Sequence, residues 1–273
     1  MATIWVHDLD PFLPYLQFSE TWGIRYYGLA YVLGFFSAYG GLIYLRKKGM
    51  SSLNADQEGS LLTWLILGTL IGGRLGYCLM YDWEKTVADP ISIIAFWDGG
   101  IEGMASHGGI LGVVIALILF SRKHHLLVWE LFDNLALLAP IGICFGRIAN
   151  FINGELWGRA TNGEWGVIFP GAMDGIPRHP SQLYEALGEG LILFLILWWV
   201  RNRQPFVGLT SVVFIFVYAK ARIICEFFRE PDEHIGYLWG GATQGQLLSI
   251  GLLVAAFGLF FYLVRRQAVR GEK

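Results

Sequence analysis

Seven stretches of about 20 predominantly apolar residues, at 24–45, 61–81, 104–120, 129–151, 181–200, 209–228 and 244–264, dominate this sequence. A run of that length crosses the bilayer hydrocarbon as a helix. The main chain inside lipid must satisfy its own hydrogen bonds, and none of the runs alternates with the period of two that a barrel strand needs, so helices are the expected spanning form. Composition agrees, with 55% hydrophobic and only 15% charged residues, against roughly 25% charged in an ordinary soluble domain. The expected architecture is an all-α integral membrane protein: one polytopic domain over residues 1–273, built as a seven-transmembrane-helix bundle. The first 23 residues carry no basic segment ahead of an apolar core, which leaves the first helix as the targeting signal.

Positive charge sets the orientation. Arg46, Lys47 and Lys48 follow the first span, Arg122 and Lys123 the third, Arg201 and Arg203 the fifth, and Arg265, Arg266, Arg270 and Lys273 the last. Connections of the other parity carry Lys85, Arg159, Arg178 and Arg229 amid Asp82, Glu84, Asp89, Asp98 and Glu102. The N-terminus is therefore expected outside and the C-terminus in the cytoplasm. Residues 152–180, rich in Gly, Pro and Trp, become an extracytoplasmic head between the fourth and fifth spans, longer than a plain connector.

Charged side chains inside spans cost about 2.5–3.5 kcal/mol each at mid-membrane, so their positions call for a reason. Tyr27, Arg74, His107, Arg147, Asn150, Glu185, Glu189, Arg222 and Glu226 all fall at the outer ends of spans. Tyr218, Arg222 and Glu226, spaced by four, share one helix face, as do Arg147 and Asn150, spaced by three. One reading is mutual neutralisation, Arg222 with Glu226 and Arg147 with Glu155. The other is that surplus arginines, unmatched by carboxylates on their own helices, await an anion, with phosphate the best match for a guanidinium fork. Lys220 points to a different face and reads as a snorkelling or pairing residue.

Other classes find little support. Net charge is −2, and no basic stripe or aromatic platform suggests nucleic acid. No His, Cys or Asp set has metal-ligand spacing, and no cofactor is expected. Cys78, Cys144 and Cys225 sit within apolar runs as small hydrophobes. The glycines of "IGGRLG" and "SHGGILG" read first as close-packing residues. Two rivals remain: a retinal-type seven-helix protein, which the lack of a lysine in the last span disfavours, and a transporter of phosphorylated solutes, for which Asp133 and Asn134 near the inner side are the only hint.

The run "GRIANFINGELWG", 146–158, resembles the signature of the prolipoprotein diacylglyceryl transferase family, and "RYYG" (25–28), "GGRLGY" (72–77), "WDGG" (97–100), "SHGG" (106–109), "RHPSQLYE" (178–185) and "EFFREPD" (226–232) agree in order along nearly the whole chain. The resemblance implies a multi-pass protein of the bacterial cytoplasmic membrane, active toward the outer leaflet. Its substrates would be phosphatidylglycerol and prolipoprotein signal peptides with a lipobox cysteine, and its products a thioether and glycerol phosphate. Matched by position, the residues that matter would be Tyr27, His107, Arg147, Asn150, Glu155, Gly158, Tyr218 and Arg222.

A thiol is mostly protonated at neutral pH and needs a base or a positive field, while the departing phosphate needs cations set in place beforehand. Arg147 and Arg222 are expected on the phosphate, with Arg74 among the binding residues. Asn150 and Tyr27 suit the glycerol hydroxyls or the phosphate, and Glu155 would orient Arg147. His107 is the expected proton acceptor; a role in orienting the headgroup or supporting the local structure is the alternative.

Overall fold

A computed structural model describes residues 4–19, 23–94, 103–231 and 236–270. It is mostly helical. The long helices are α1 (Tyr26–Lys47), α2 (Ala55–Met80), α4 (Ser106–His124), α5 (Val128–Ile152), α8 (Leu209–Glu226) and α9 (Gln244–Arg270), with a short α3 (Trp83–Ala88) after α2. A further rod starts as α6 (Ser181–Glu185), widens into a π-helical segment (Ala186–Ile192) and resumes as α7 (Leu193–Arg201).

Among the described residues six rods, α1, α2, α4, α5, Ser181–Arg201 and α9, are long and apolar enough to cross a membrane. The stretch read as the sixth span does form a helix, α8, but its 18 residues include Lys220, Arg222 and Glu226. By apolarity alone α8 is not a spanning rod. "WDGG", Asp98, Glu102, Asp232 and Lys273 lie outside the described residues. The described residues also include four short strands: β1 (Ile4–Val6), β2 (Phe12–Gln17), β3 (Gly23–Arg25) and β4 (Gly166–Ile168).

The chain divides into two compact units, Tyr39–Asn134 and the remainder. Within Tyr39–Asn134, α2 opens on a capping box in which the Asn54 side chain accepts from the Gln57 main chain and Gln57 returns the bond, satisfying two donors a helix start leaves open. Arg46 pairs with the buried Glu58 at 2.7 Å. Gly68, Gly72 and Gly76 line one face of α2 against Gly108 and Gly112 of α4. A methyl on Gly76 would come within 2.7 Å of Gly108 Cα, and one on Gly112 would run into the Gly68 carbonyl. Small residues every fourth position thus let two backbones touch, the packing expected from the sequence. Asp133 and Asn134 are buried; the Asn134 amide donates to Ser51 Oγ at 2.9 Å, which ties the first turns of α5 to the connection between α1 and α2.

In the other unit, β1 pairs in parallel with β4, Ile4 opposite Gly166 and Val6 opposite Ile168, and β2 pairs antiparallel with β3. His7 fastens the same corner, its Nε2 lying 2.7 Å from the Phe151 carbonyl. The 152–180 segment is therefore built with the first residues of the chain. Its helices close on one another at small residues: a methyl on Gly34 of α1 would lie 3.3 Å from Gly142 Cα of α5.

Candidate active site

Two glycines of the π-helical segment bring the charged residues together. A Cβ on Gly190 would fall 2.6 Å from Cys144 Cβ, so α5 presses directly on the segment there. Gly188 faces Ala221 and Cys225 of α8 on another side. Arg147 lies less than one turn beyond Cys144, and Arg222 follows Ala221. Both guanidiniums are thereby delivered to Glu185 and Glu189, which flank the glycines. A π-helical turn recurs at functional sites because it re-aims side chains within an otherwise regular rod.

Arg147 Nη1 is 3.1 Å from Glu185 Oε2 and its Nη2 is 3.0 Å from Glu189 Oε2. Arg222 Nη1 is 2.5 Å from Glu185 Oε1 and 3.4 Å from Glu189 Oε1, while its Nη2 meets Glu226 at 2.5 Å. Arg229 completes the set, 3.4 Å from Glu185 Oε1. On the far side of Glu226, Thr243 donates a 2.7 Å hydrogen bond, and Gly245 leaves room that a methyl would take from Glu226 Oε1.

Two sequence expectations change here. Arg147 pairs with Glu185 and Glu189 from another helix, not with Glu155. Arg147 and Arg222 are not surplus cations either, because in this network three guanidiniums meet three carboxylates. The network is nonetheless asymmetric: Glu185 and Glu189 are 0% exposed, whereas the Arg147 and Arg222 side chains keep 17% and 15%. A group entering from solvent meets guanidinium edges first, and each guanidinium carries five N–H donors. The Arg147 Nε has no hydrogen-bond partner among the described residues.

Glu155 serves Asn150 instead, accepting from its Nδ2 at 2.8 Å and from Asn153 at 3.3 Å. The Gln182 amide fixes the Glu155 carbonyl at 2.7 Å. Tyr27 is partly exposed, packs edge-on to Tyr31 and is close enough to feel the charges of Glu155 and Arg147. Tyr218 stacks on Phe214 within electrostatic reach of Glu189 and Arg222. Lys220 is exposed, with its ammonium 5.1 Å from the centre of the Phe216 ring.

Gly158 sits where three chain segments cross. It donates to the His179 carbonyl at 3.0 Å, and its neighbour Arg159 donates to the Phe228 carbonyl at 2.8 Å; a methyl on Gly158 would strike both carbonyls. Arg159 crosses to the carbonyls of Arg229 and Glu226. Arg178 bridges Asp174 and Glu230 and reaches the Gly158 carbonyl. Its hydrogen bond holds the Asp174 carboxyl below the usual carboxylate range. Burial among Trp165, Tyr184 and Phe228 pushes the His179 imidazole below its usual value.

Arg74 and His107 belong to the Tyr39–Asn134 unit. Arg74 donates to the carbonyls of Ile93 at 2.9 Å, Ser92 at 2.6 Å and Gly103 at 3.4 Å, so its guanidinium holds main chain. His107, in the first turn of α4, is exposed and has no hydrogen-bond partner among the described residues. Glu185 and Glu189 were legible as charged residues near an outer helix end, but not as partners of Arg147. Arg229 is marked only by its place in "EFFREPD", and Thr243 and Gly245 give no signal beyond residue type.

The model of the family described as prolipoprotein diacylglyceryl transferase matches residues 15–262. Similar proteins include the phosphatidylglycerol–prolipoprotein diacylglyceryl transferase of Pseudoalteromonas atlantica, 45% identical over 250 residues that cover 89% of this chain and 86% of that one. Its counterpart in Solidesulfovibrio magneticus is 46% identical over 247 residues, 90% and 91% of the two chains. That of Bordetella bronchiseptica is 41% identical over 243 residues, 89% and 92%.

Proposed function

The chain belongs to the prolipoprotein diacylglyceryl transferase family, and from that premise we propose that it moves the diacylglyceryl group of phosphatidylglycerol onto the thiol of a lipobox cysteine in a prolipoprotein. A carbon–sulfur bond forms, the carbon–oxygen bond to phosphate breaks, and glycerol phosphate departs. The observation that carries the reading is the pair of partly exposed guanidiniums, Arg147 and Arg222, seated on the sealed carboxylates of Glu185 and Glu189.

The reaction needs cations where the phosphate gains charge, held before the substrate arrives. Arginines fixed by buried carboxylates meet that need without reorganising, and their edge donors suit phosphate oxygens. Asn150, oriented by Glu155, and Tyr27 are assigned to the glycerol hydroxyls. Tyr218 lies beside the two arginines and completes the headgroup pocket, and Gly158 keeps the crossing of the 152–180 segment tight. His107, exposed in the first turn of α4, is the proposed acceptor of the thiol proton. Arg74, with three main-chain acceptors, is assigned to shaping the lipid site rather than to the phosphate.

The membrane arrangement is part of the proposal. Seven spans, with α8 crossing as the sixth in chain order, accommodate its three charged residues, because Arg222 and Glu226 pair and the exposed Lys220 can snorkel. Positive charge on alternate connections supports an outside N-terminus, a cytoplasmic C-terminus, an extracytoplasmic 152–180 head and a site facing the outer leaflet of the bacterial cytoplasmic membrane. The test is reconstitution: purified protein, labelled phosphatidylglycerol and a lipobox peptide should yield a thioether-linked lipopeptide and glycerol phosphate. No lipopeptide, or equal transfer from phosphatidylethanolamine, defeats the reading.

A further inference from the structure

Resting on the transferase reading above, we propose that Glu185 is a positioning residue that sets the separation of the two phosphate-binding arginines. It alone among the network's carboxylates touches all three guanidiniums, giving Oε2 to Arg147 and Oε1 to both Arg222 and Arg229. It is fully buried, so it cannot itself meet a lipid and must act through the arginines. It ends α6 where the rod widens into the π-helical segment, a junction held from either side by the contacts of Gly188 and Gly190. The carboxylate is a two-sided wedge: one oxygen fixes the helix α5 guanidinium, the other the α8 guanidinium.

An amide cannot do this. Glu185→Gln keeps the volume, but in either orientation its NH2 faces at least one guanidinium, a donor against a donor. If NH2 replaces Oε2, it faces Arg147 Nη1 and leaves that arginine held by Glu189 alone; if it replaces Oε1, Arg222 and Arg229 lose their bonds to Glu185, and Arg222 is left to Glu226 and Glu189. Glu185→Asp keeps the charge and withdraws it by one methylene, which changes the separation without leaving a cation unpaired. A role confined to neutralising buried charge would be satisfied by Asp and lost in Gln. A positioning role is damaged by both.

The experiment measures steady-state transfer with phosphatidylglycerol and lipobox peptide varied separately, equilibrium binding of labelled phosphatidylglycerol in micelles, and thermal unfolding of each variant. Both substitutions are expected to raise KM and the dissociation constant for phosphatidylglycerol about tenfold, the scale of one lost charge-assisted hydrogen bond, with KM for the peptide unchanged. Glu185→Asp with wild-type KM and lipid binding overturns the proposal. So does a Glu185→Gln defect that loss of folded protein accounts for entirely. Should the wild type bind phosphatidylglycerol but transfer nothing, the reaction is wrong, and Glu185 is still judged by the binding arm.

Discussion

Arg222 is bound to Glu226, one helical turn further along α8, at 2.5 Å, while its other terminal nitrogen reaches Glu185 on a different rod at the same distance. The guanidinium is thus fixed at both ends before any substrate is present. Lysine offers one nitrogen and cannot span both partners. Arg222→Lys is expected to lower kcat/KM by about a hundredfold, and Arg222→Ala further while destabilising the protein by about 3 kcal/mol, chiefly through Glu226, which it leaves without a cation. Transfer kinetics and thermal unfolding of both variants check this; an active Arg222→Ala protein would remove the guanidinium from the mechanism.

Asn150 presents its amide to Glu155, which also accepts from Asn153. Asn150→Asp sets two carboxylates against each other at that contact, whereas Glu155→Gln leaves a neutral partner. The expected result is at least about a tenfold loss of transfer in Asn150→Asp, consistent with one charge-assisted bond turned repulsive, and a smaller loss in Glu155→Gln. Assays of the two proteins side by side decide it, and equal losses would contradict the orienting role of Glu155.

Two glycines of the Tyr39–Asn134 unit make a contrast open to measurement. Gly112 of α4 abuts the Gly68 carbonyl, while Gly40 of α1 has nothing within 4 Å of its would-be Cβ. Gly112→Ala should destabilise by about 1–3 kcal/mol through overpacking. Gly40→Ala should be neutral or stabilising by up to about 1 kcal/mol. Unfolding midpoints in a common detergent test the pair.

Burial depresses the His179 imidazole, so the unfolded segment binds the proton more readily than the folded one. The stability this residue permits is complete above its unfolded pKa, about 6.5, and is lost as pH falls through the lower, folded value. The protection factors of the Gly158 and Arg159 amides, which hold this crossing, should therefore fall from pH 7 to pH 5 once the slower chemical exchange at low pH is divided out. His179→Gln should abolish the fall; if the response persists, the source is another group, such as Asp174 at lower pH.

Much of this was readable from the order of residues. Hydropathy located the long helices to within a few residues, because an apolar run in lipid has no alternative to a helix. The glycine contacts of α2 and α4 followed from spacing. The i, i+4 pair of Arg222 and Glu226 was visible as well, since it needs only one helix. Glu185 and Glu189 as partners of Arg147 were not, because that contact depends on which rods are neighbours, and pattern along a chain does not encode adjacency. The π-helical widening, which allows the contact, leaves no periodic trace. The strands β1 and β4 escaped because three-residue elements fall below the length at which alternation is detectable.

The pairing of β1 with β4 has a temporal side. Ile4 is synthesised about 160 residues before its partner Gly166, an interval of roughly ten to thirty seconds at the usual pace of synthesis. Within it α1, α2, α4 and α5 are made, while β1 has no strand to join. The first stitch in the polypeptide is tied among the last, so a nascent chain arrested before residue 166 would leave its beginning untethered.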